Sequence, residues 1–203
     1  MRLRLFIDFW NFQLNWNDRG PGTPIDWQKV GPVLTQTANA QLVKMGLSAA
    51  TLEEVRVYAS YEPAKPGDLK LKNWLNSWLN HQPGFKVFTT ERNWKQKAIH
   101  CRSCGVDTPA CPACGAMFGR AAEKAIDSLI VTDLISLAWE GGYDIALLVS
   151  SDKDFVPAVK LLQTKTFKII NATWDSHGFE LAGESWASIK LDELVPQLKR
   201  SST

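Results

Sequence analysis

No run of about 18 apolar residues occurs in the chain, which excludes a membrane-spanning helix. A large charge of either sign is missing too: 23 lysines and arginines face 21 aspartates and glutamates, for a net charge of +2. So mild a balance does not announce a nucleic-acid binder, and any such reading must rest on local charge. The first ten residues carry neither a long apolar stretch nor a small-residue cleavage site, so no export signal is expected and the expected location is cytoplasmic. Internal repeats and low-complexity segments are absent from the sequence. Cysteine is scarce, with four residues, all between positions 101 and 114. Without an export signal, these point to metal ligation rather than to disulfides.

What is present suits one domain carrying a small insertion. The 203 residues are 45% apolar, enough for a real core, and the 22% that are charged exclude a disordered, tail-like chain. Nine tryptophans invite a search for base-stacking surfaces, although most are expected in the core.

Leu3–Ile7 reads as a buried strand running into Asp8, and a polar Gly/Pro loop is expected from Asn15 to Pro24. Helical spacing follows over Trp27–Met45, then a strand over Val55–Ser60. Pro66 opens a helix whose stripe contains Leu71, Trp74, Leu75, Trp78 and Leu79, so Trp74 and Trp78 are assigned to the core. A strand is expected over Phe85–Phe88 and a helix over 121–139. The apolar run Ile145–Val149 predicts a central parallel strand covered on both faces. A short helix over Phe155–Leu162, a strand over Phe167–Ile170 and a closing helix over Leu191–Lys199 complete the pattern. Such alternation predicts an α/β fold: a mostly parallel sheet with helices on both faces. Its functional crevice should lie beyond the carboxyl ends of the strands.

That rule sorts the acidic residues. Asp8 follows the first strand, while Asp152 and Asp154 follow the strand Ile145–Val149. Asp127 lies near the start of a helix leading back to that strand, which places it at the same rim. Four neighbouring carboxylates repel one another, and Mg²⁺ or Mn²⁺, hard cations that take oxygen ligands, resolve the conflict. The implied chemistry is metal-assisted hydrolysis of a phosphodiester. The bland alternatives are a helix cap for Asp154, a turn residue for Asp152 and a solvated helix charge for Asp127. Asp8, flanked by Ile7, Phe9 and Trp10, is the hardest to dismiss, because a carboxylate in so apolar a setting needs a partner.

Three segments then match a known pattern: Ile7-Asp8-Phe9-Trp10-Asn11; Lys124 to Asp127 with Asp133 in the same helix; and Tyr143-Asp144 leading to Leu148–Pro157. From residue 3 to about 171 the chain resembles the NYN-domain family of PIN-like ribonucleases, most specifically over Leu148–Pro157. The resemblance implies a three-layer α/β/α sandwich and endoribonuclease activity with Mg²⁺ or Mn²⁺. It implies a catalytic metal set of Asp8, Asp127, Asp152 and Asp154, with Asn11 supporting it. Asp133 also occupies a family position, yet at about 100° per residue it lies roughly 120° around the helix from Asp127. It is therefore second tier, as are Ser150 and Ser151, which could orient ligands or phosphate. The family often has small residues where this chain has Phe9, Trp10 and Ser151. The bulky pair either narrows the pocket or offers a stacking face, and Trp10 and Trp16 are the rim tryptophans considered for stacking.

Segment 91–119 breaks the alternation and is read as a zinc-binding insertion within a domain spanning 1–203. Cys101-x-x-Cys104 and Cys111-x-x-Cys114 are each followed by glycine, the pattern of two knuckles closing a tetrahedral Cys₄ site on structural Zn²⁺. His100 is read as a neighbour rather than a ligand. From Lys86 to Lys124 seven basic residues face three acidic ones, a net +4. Arg92, Lys95, Lys97, Arg102, Arg120 and Lys124, with Lys153 at the rim, are the expected phosphate contacts, and Trp94 is the expected face for a base. The expected partner is single-stranded RNA, or structured RNA with exposed single strands, and no membrane. Monomer and homodimer both stay open. The main reading is a metal-dependent endoribonuclease. Its rivals are an idle RNA- or protein-binding module using the zinc element, and a small-phosphate enzyme, for which no nucleophile motif is evident.

Overall fold

The computed structural model describes residues 1–20, 22–122, 126–175 and 177–200, with side chains at all of these except 93 and 120–122. In chain order the strands are β1 (Arg2–Asp8), β2 (Thr51–Tyr61), β3 (Phe85–Glu91), β4 (Asn93–Gln96), β5 (Ile99–His100), β6 (Asp107–Thr108), β7 (Gly119–Ala122), β8 (Ile145–Val149), β9 (Lys168–Thr173) and β10 (Ala187–Lys190). The helices are α1 (Phe9–Arg19), α2 (Trp27–Lys44), α3 (Pro66–Ser77), α4 (Ile126–Trp139), α5 (Val156–Thr164), α6 (Phe179–Glu184) and α7 (Val195–Leu198).

Six strands form one sheet in the order β10-β9-β8-β1-β2-β3, and every neighbouring pair is parallel. Side-chain alternation splits it into two faces. Leu3, Leu5, Ile7 and Val57 pack with α1, α2, α3 and α7 on one side. Phe6, Tyr58, Ala146 and Leu148 pack with α4, α5 and α6 on the other. This is the expected three-layer α/β/α sandwich. All five residues of β8 are buried, as its unbroken apolar run requires.

The chain runs from β1 outward to β2 and β3, then returns to place β8 on the opposite side of β1. The strand order therefore reverses between β1 and β8, and the crevice of such a sheet opens at that switch point. Register completes the placement. Ile7 pairs with Val149, so Asp8 and Ser150 leave the sheet side by side.

Several elements differ from expectation: the helix expected over 121–139 is described from Ile126, with 121–122 in β7, and α6 had no expected counterpart. Phe9–Arg19 is a helix that takes in residues 15–19, the first part of the expected loop, because Phe9, Phe12 and Trp16 recur at helical spacing among polar residues. That spacing buries Trp16 against Phe12 and Trp174, which removes it as a base-stacking residue. Residues 187–190 form β10, the edge strand, and the expected closing helix is a 3₁₀ turn over Leu191–Leu194 followed by α7. Among the described residues no helix is long and apolar enough to cross a membrane.

The insertion stands apart from the main sheet. β4 and β7 pair antiparallel as one ribbon, and β5 and β6 as another, each beyond the end of β3.

Candidate active site

Asp8 is both the last residue of β1 and the N-cap of α1. Its Oδ1 accepts the Asn11 N–H at 3.2 Å, and its Oδ2 accepts the Ser150 hydroxyl at 3.1 Å. Its exposure is only 9%, so these bonds answer a carboxylate that burial would otherwise penalise. The Ser150 Oγ in turn accepts the Asp152 N–H at 3.2 Å, so one hydroxyl links Asp8 to the loop carrying Asp152. Asp152 Oδ1 caps the following 3₁₀ turn by accepting the Asp154 N–H at 2.9 Å. Asp154 is exposed and does not cap α5, which has no side-chain cap; Asp152 caps the 3₁₀ turn before it.

Asn11 fastens the two strand ends together. Its Oδ1 accepts the Ser151 N–H at 2.9 Å, across the switch point. Behind the loop, the buried Asn171 side chain donates to the carbonyls of Leu148 and Ser150 at 3.1 and 2.9 Å. Ser151 is held from its other side by the Thr173 hydroxyl at 2.8 Å. Residues 150–152 are thus fixed by β1, α1 and β9 together.

Asp127 is exposed in the first turn of α4, a helix that packs against the 3₁₀ turn Lys153–Phe155. Asp133 is elsewhere. Arg56 and Tyr58 both donate to its Oδ2, the Tyr58 hydroxyl at 2.7 Å. Burial and then the bond to Asp133 push the Tyr58 phenol far above its ordinary pKa. Asp133 is a structural acceptor between α4 and β2. Among the described residues, no three His, Cys, Asp or Glu side chains form a group able to hold a metal ion.

A cavity of about 440 Å³ opens at this rim, lined by Asn11, Ser151, Asp152, Lys153, Gly178, Phe179 and Glu180. The last three residues had no place in the sequence reading. The carboxyl-end rule, extended to whatever follows β9, is the signal that finds them.

Of the expected RNA contacts, Lys97 and Arg102 line a second cavity, of about 560 Å³, together with Ile99, His100 and Phe118. Lys95 is exposed on β4, and Trp94 is 46% exposed with its ring laid across Gly119. Arg92 is spoken for: it donates to Asp68 at 2.7 Å and stacks over the Trp10 ring at 4.9 Å. Against the burial that would raise it, the Glu62 N–H and Arg92 hold Asp68 below the usual carboxylate range. Trp10 itself donates its indole N–H to the Ser60 carbonyl, so both its ring and its polar edge are engaged within the fold. The Arg120 side chain and Lys124 lie outside the described residues.

The two cysteine turns share one build. Cys101 N–H donates to the Val106 carbonyl and Gly105 N–H to the Cys101 carbonyl; Cys111, Ala116 and Gly115 repeat this. Gly105 and Gly115 sit at φ of 73° and 70°, the left-handed conformation that closes each turn. The Cys104 N–H, then the Cys104 side chain and the Ser103 N–H, lower the Cys101 pKa. The Cys114 and Ala113 N–H groups and the Cys114 side chain do the same for Cys111. These N–H groups favour the thiolate form of Cys101 and Cys111, the form that binds metals. The pairs are formed separately rather than gathered into one four-sulfur group. His100 is engaged with Asp107 at 2.9 Å.

The family model of the NYN domain matches residues 2–182. In fold, the chain is similar to a crystal structure of a protein of unknown function from Vibrio parahaemolyticus, with a TM-score of 0.59 at 15% identity. That similarity covers 98% of this chain and 96% of the other. No curated protein matches the sequence.

Proposed function

The chain belongs to the NYN domain family, whose domains are nuclease-like and RNA-related, and on that footing we propose that it is a metal-dependent endoribonuclease. Its reaction centre is the crevice between β1 and β8. One observation carries the reading: Asp8 and Asp152 are linked through Ser150 at the switch point of a parallel sheet.

The donors there are hard oxygens. Mg²⁺ takes one or two carboxylates, keeps several waters and shares phosphate oxygens of its substrate. Asp8 and Asp152, with Asp154 and Asp127 completing the set, suit Mg²⁺ or Mn²⁺ without a ready-made cage. Such an ion supplies Lewis-acid polarisation of the phosphodiester and a more acidic water.

The chain's own residues prepare the site. Ser150 and the Asn11 N–H orient the Asp8 carboxylate, and the Asn11 side chain fixes Ser151, so the loop is set before substrate arrives. Lys153, exposed at the cavity, attracts the phosphate backbone. Hydrolysis here leaves 5′-phosphate and 3′-hydroxyl ends without using the 2′-hydroxyl. In the insertion, Lys95, Lys97 and Arg102 take phosphates and Trp94 takes a base of single-stranded RNA. Its two cysteine pairs, separate as they stand, would be drawn together on one structural Zn²⁺, an ion that four thiolates suit.

A rival reading, a binding module with an idle rim, draws on the lack of a three-ligand metal group among the described residues. Incubation of mixed single-stranded RNA with Mn²⁺ or Mg²⁺ separates the two. Cleavage by the wild type that is lost in both Asp8→Asn and Asp152→Asn supports the nuclease. Retained binding without cleavage by any form supports the module, and cleavage surviving both substitutions places the chemistry elsewhere.

A further inference from the structure

Phe179 is the most exposed large apolar side chain among the described residues, at 75%. Exposed aromatics scattered singly are ordinary. This one is held at the lip of the rim cavity, beside Asp152 and Lys153.

The holding is specific. Gly178, at φ 78°, lies so close to the rim that an added Cβ would stand 2.3 Å from Thr173 Oγ1 and 2.9 Å from Ser151 Cα. Thr173 Oγ1 donates to the His177 carbonyl at 3.0 Å, so its bond with Ser151 at 2.8 Å must use the serine hydrogen. Through these contacts the segment bearing Phe179 is latched to the loop that carries Asp152. Glu180 lines the same cavity. A carboxylate there repels phosphate and accepts hydrogen bonds from amino groups, which suits a nucleobase.

We propose that Phe179 is a stacking platform for one base of single-stranded RNA, placed so that the adjoining phosphate lies toward Lys153 and Asp152. The proposal rests on the nuclease reading for where the strand runs, but its test does not need cleavage. Phe179 is a positioning residue rather than a catalytic one.

Binding of a short labelled single-stranded RNA is measured by fluorescence anisotropy without added Mg²⁺ or Mn²⁺, so that the strand stays intact. Phe179→Ala should weaken binding on the order of tenfold, and Phe179→Tyr should restore it. An abasic nucleotide scanned along the RNA should weaken wild-type binding by the same factor at one position, with no further loss in Phe179→Ala. In cleavage assays Phe179→Ala should raise KM with little change in kcat. Wild-type strength in Phe179→Ala, failure of Tyr to rescue, equal losses on intact and abasic RNA, or no binding by the wild type would each overturn the proposal. Insensitivity of cleavage to Asp8→Asn and Asp152→Asn would sink the nuclease reading alone and leave the stacking result standing.

Discussion

The rim and the insertion hold their polar groups by opposite means. At the rim, Asp8 ends a strand buried on both faces, and Asn11, Ser150, Thr173 and Asn171 tie its neighbours from three elements. In the insertion, the strands β5 and β6 are two residues each, Cys104 and Cys114 are exposed, and the bonds that shape each knuckle are local. Reaction chemistry tolerates little misplacement and belongs on rigid elements. A recognition surface can adapt, and loops carry it well. On the proposed function, the molecule divides these demands between its two regions.

The sharpest way to break that comparison is at the rim. Asp8→Asn keeps an acceptor for the Asn11 N–H but removes the charge, so kcat should fall on the order of 10³-fold, about 4 kcal/mol of transition-state stabilisation. Circular dichroism should show an unchanged fold. A variant of near wild-type kcat would move the chemistry out of the β1–β8 crevice.

Asp133 tests the same region from the other side. It is a carboxylate of the same domain and the same family pattern, but it is bonded to Arg56 and Tyr58. Asp133→Asn leaves Arg56, only 8% exposed, with Glu54 as its remaining ion-pair partner. Breaking a buried pair this way costs about 3 kcal/mol. Each kcal/mol lowers Tm by about 2–4 °C in a domain of this size. The kcat at 25 °C should stay within about twofold of the wild type if Asp133 only supports the fold. A large loss of kcat with an unchanged Tm would instead put Asp133 among the reacting groups.

The zinc assignment carries the comparison into the insertion. Metal analysis of protein purified without chelators should find about one Zn per chain, and Cys101→Ser with Cys111→Ser should lose it. RNA affinity should fall while the main thermal transition holds, because the six-stranded sheet is built without these residues. Loss of the whole fold would show that the two regions are one cooperative unit.

Legibility in the sequence followed the reach of each signal. An apolar run ending in an acid gave the strand ends, so Asp8 and the loop 150–154 were readable before any family was considered. The angle between Asp127 and Asp133 on one helix likewise anticipated their separate surroundings. Signals weaker than the noise were lost: α1 hides its stripe among polar residues, and α6 and β10 are six and four residues long. Pairings between distant segments were out of reach altogether. Nothing in the sequence couples Arg92 to Asp68, 24 residues away, so its charge looked available for RNA. Phe179 was invisible for a related reason, since exposure leaves no periodic trace.

The smallest effect separates phosphate contacts from shape. Lys97 and Arg102 face one cavity, while Arg92 is neutralised by Asp68 and covers Trp10. Only the first two should release counterions when RNA binds. For single strands each phosphate contact contributes about 0.7 to the slope of log K against log salt, so Lys97→Ala with Arg102→Ala should flatten it by about 1.4. Affinity at moderate salt should drop only several-fold. Arg92→Gln should leave the salt slope unchanged and instead lower Tm, because Asp68 keeps the Glu62 N–H but loses Arg92, one of the groups that hold its pKa down. That stabilisation exists above the unfolded-state carboxylate pKa and fades as pH falls through the lower folded one. The Tm difference between Arg92→Gln and wild type should therefore be full at neutral pH and shrink in acid. A salt slope that responds to Arg92 and ignores Lys97 and Arg102 would move the RNA path from the insertion onto the edge of the main sheet.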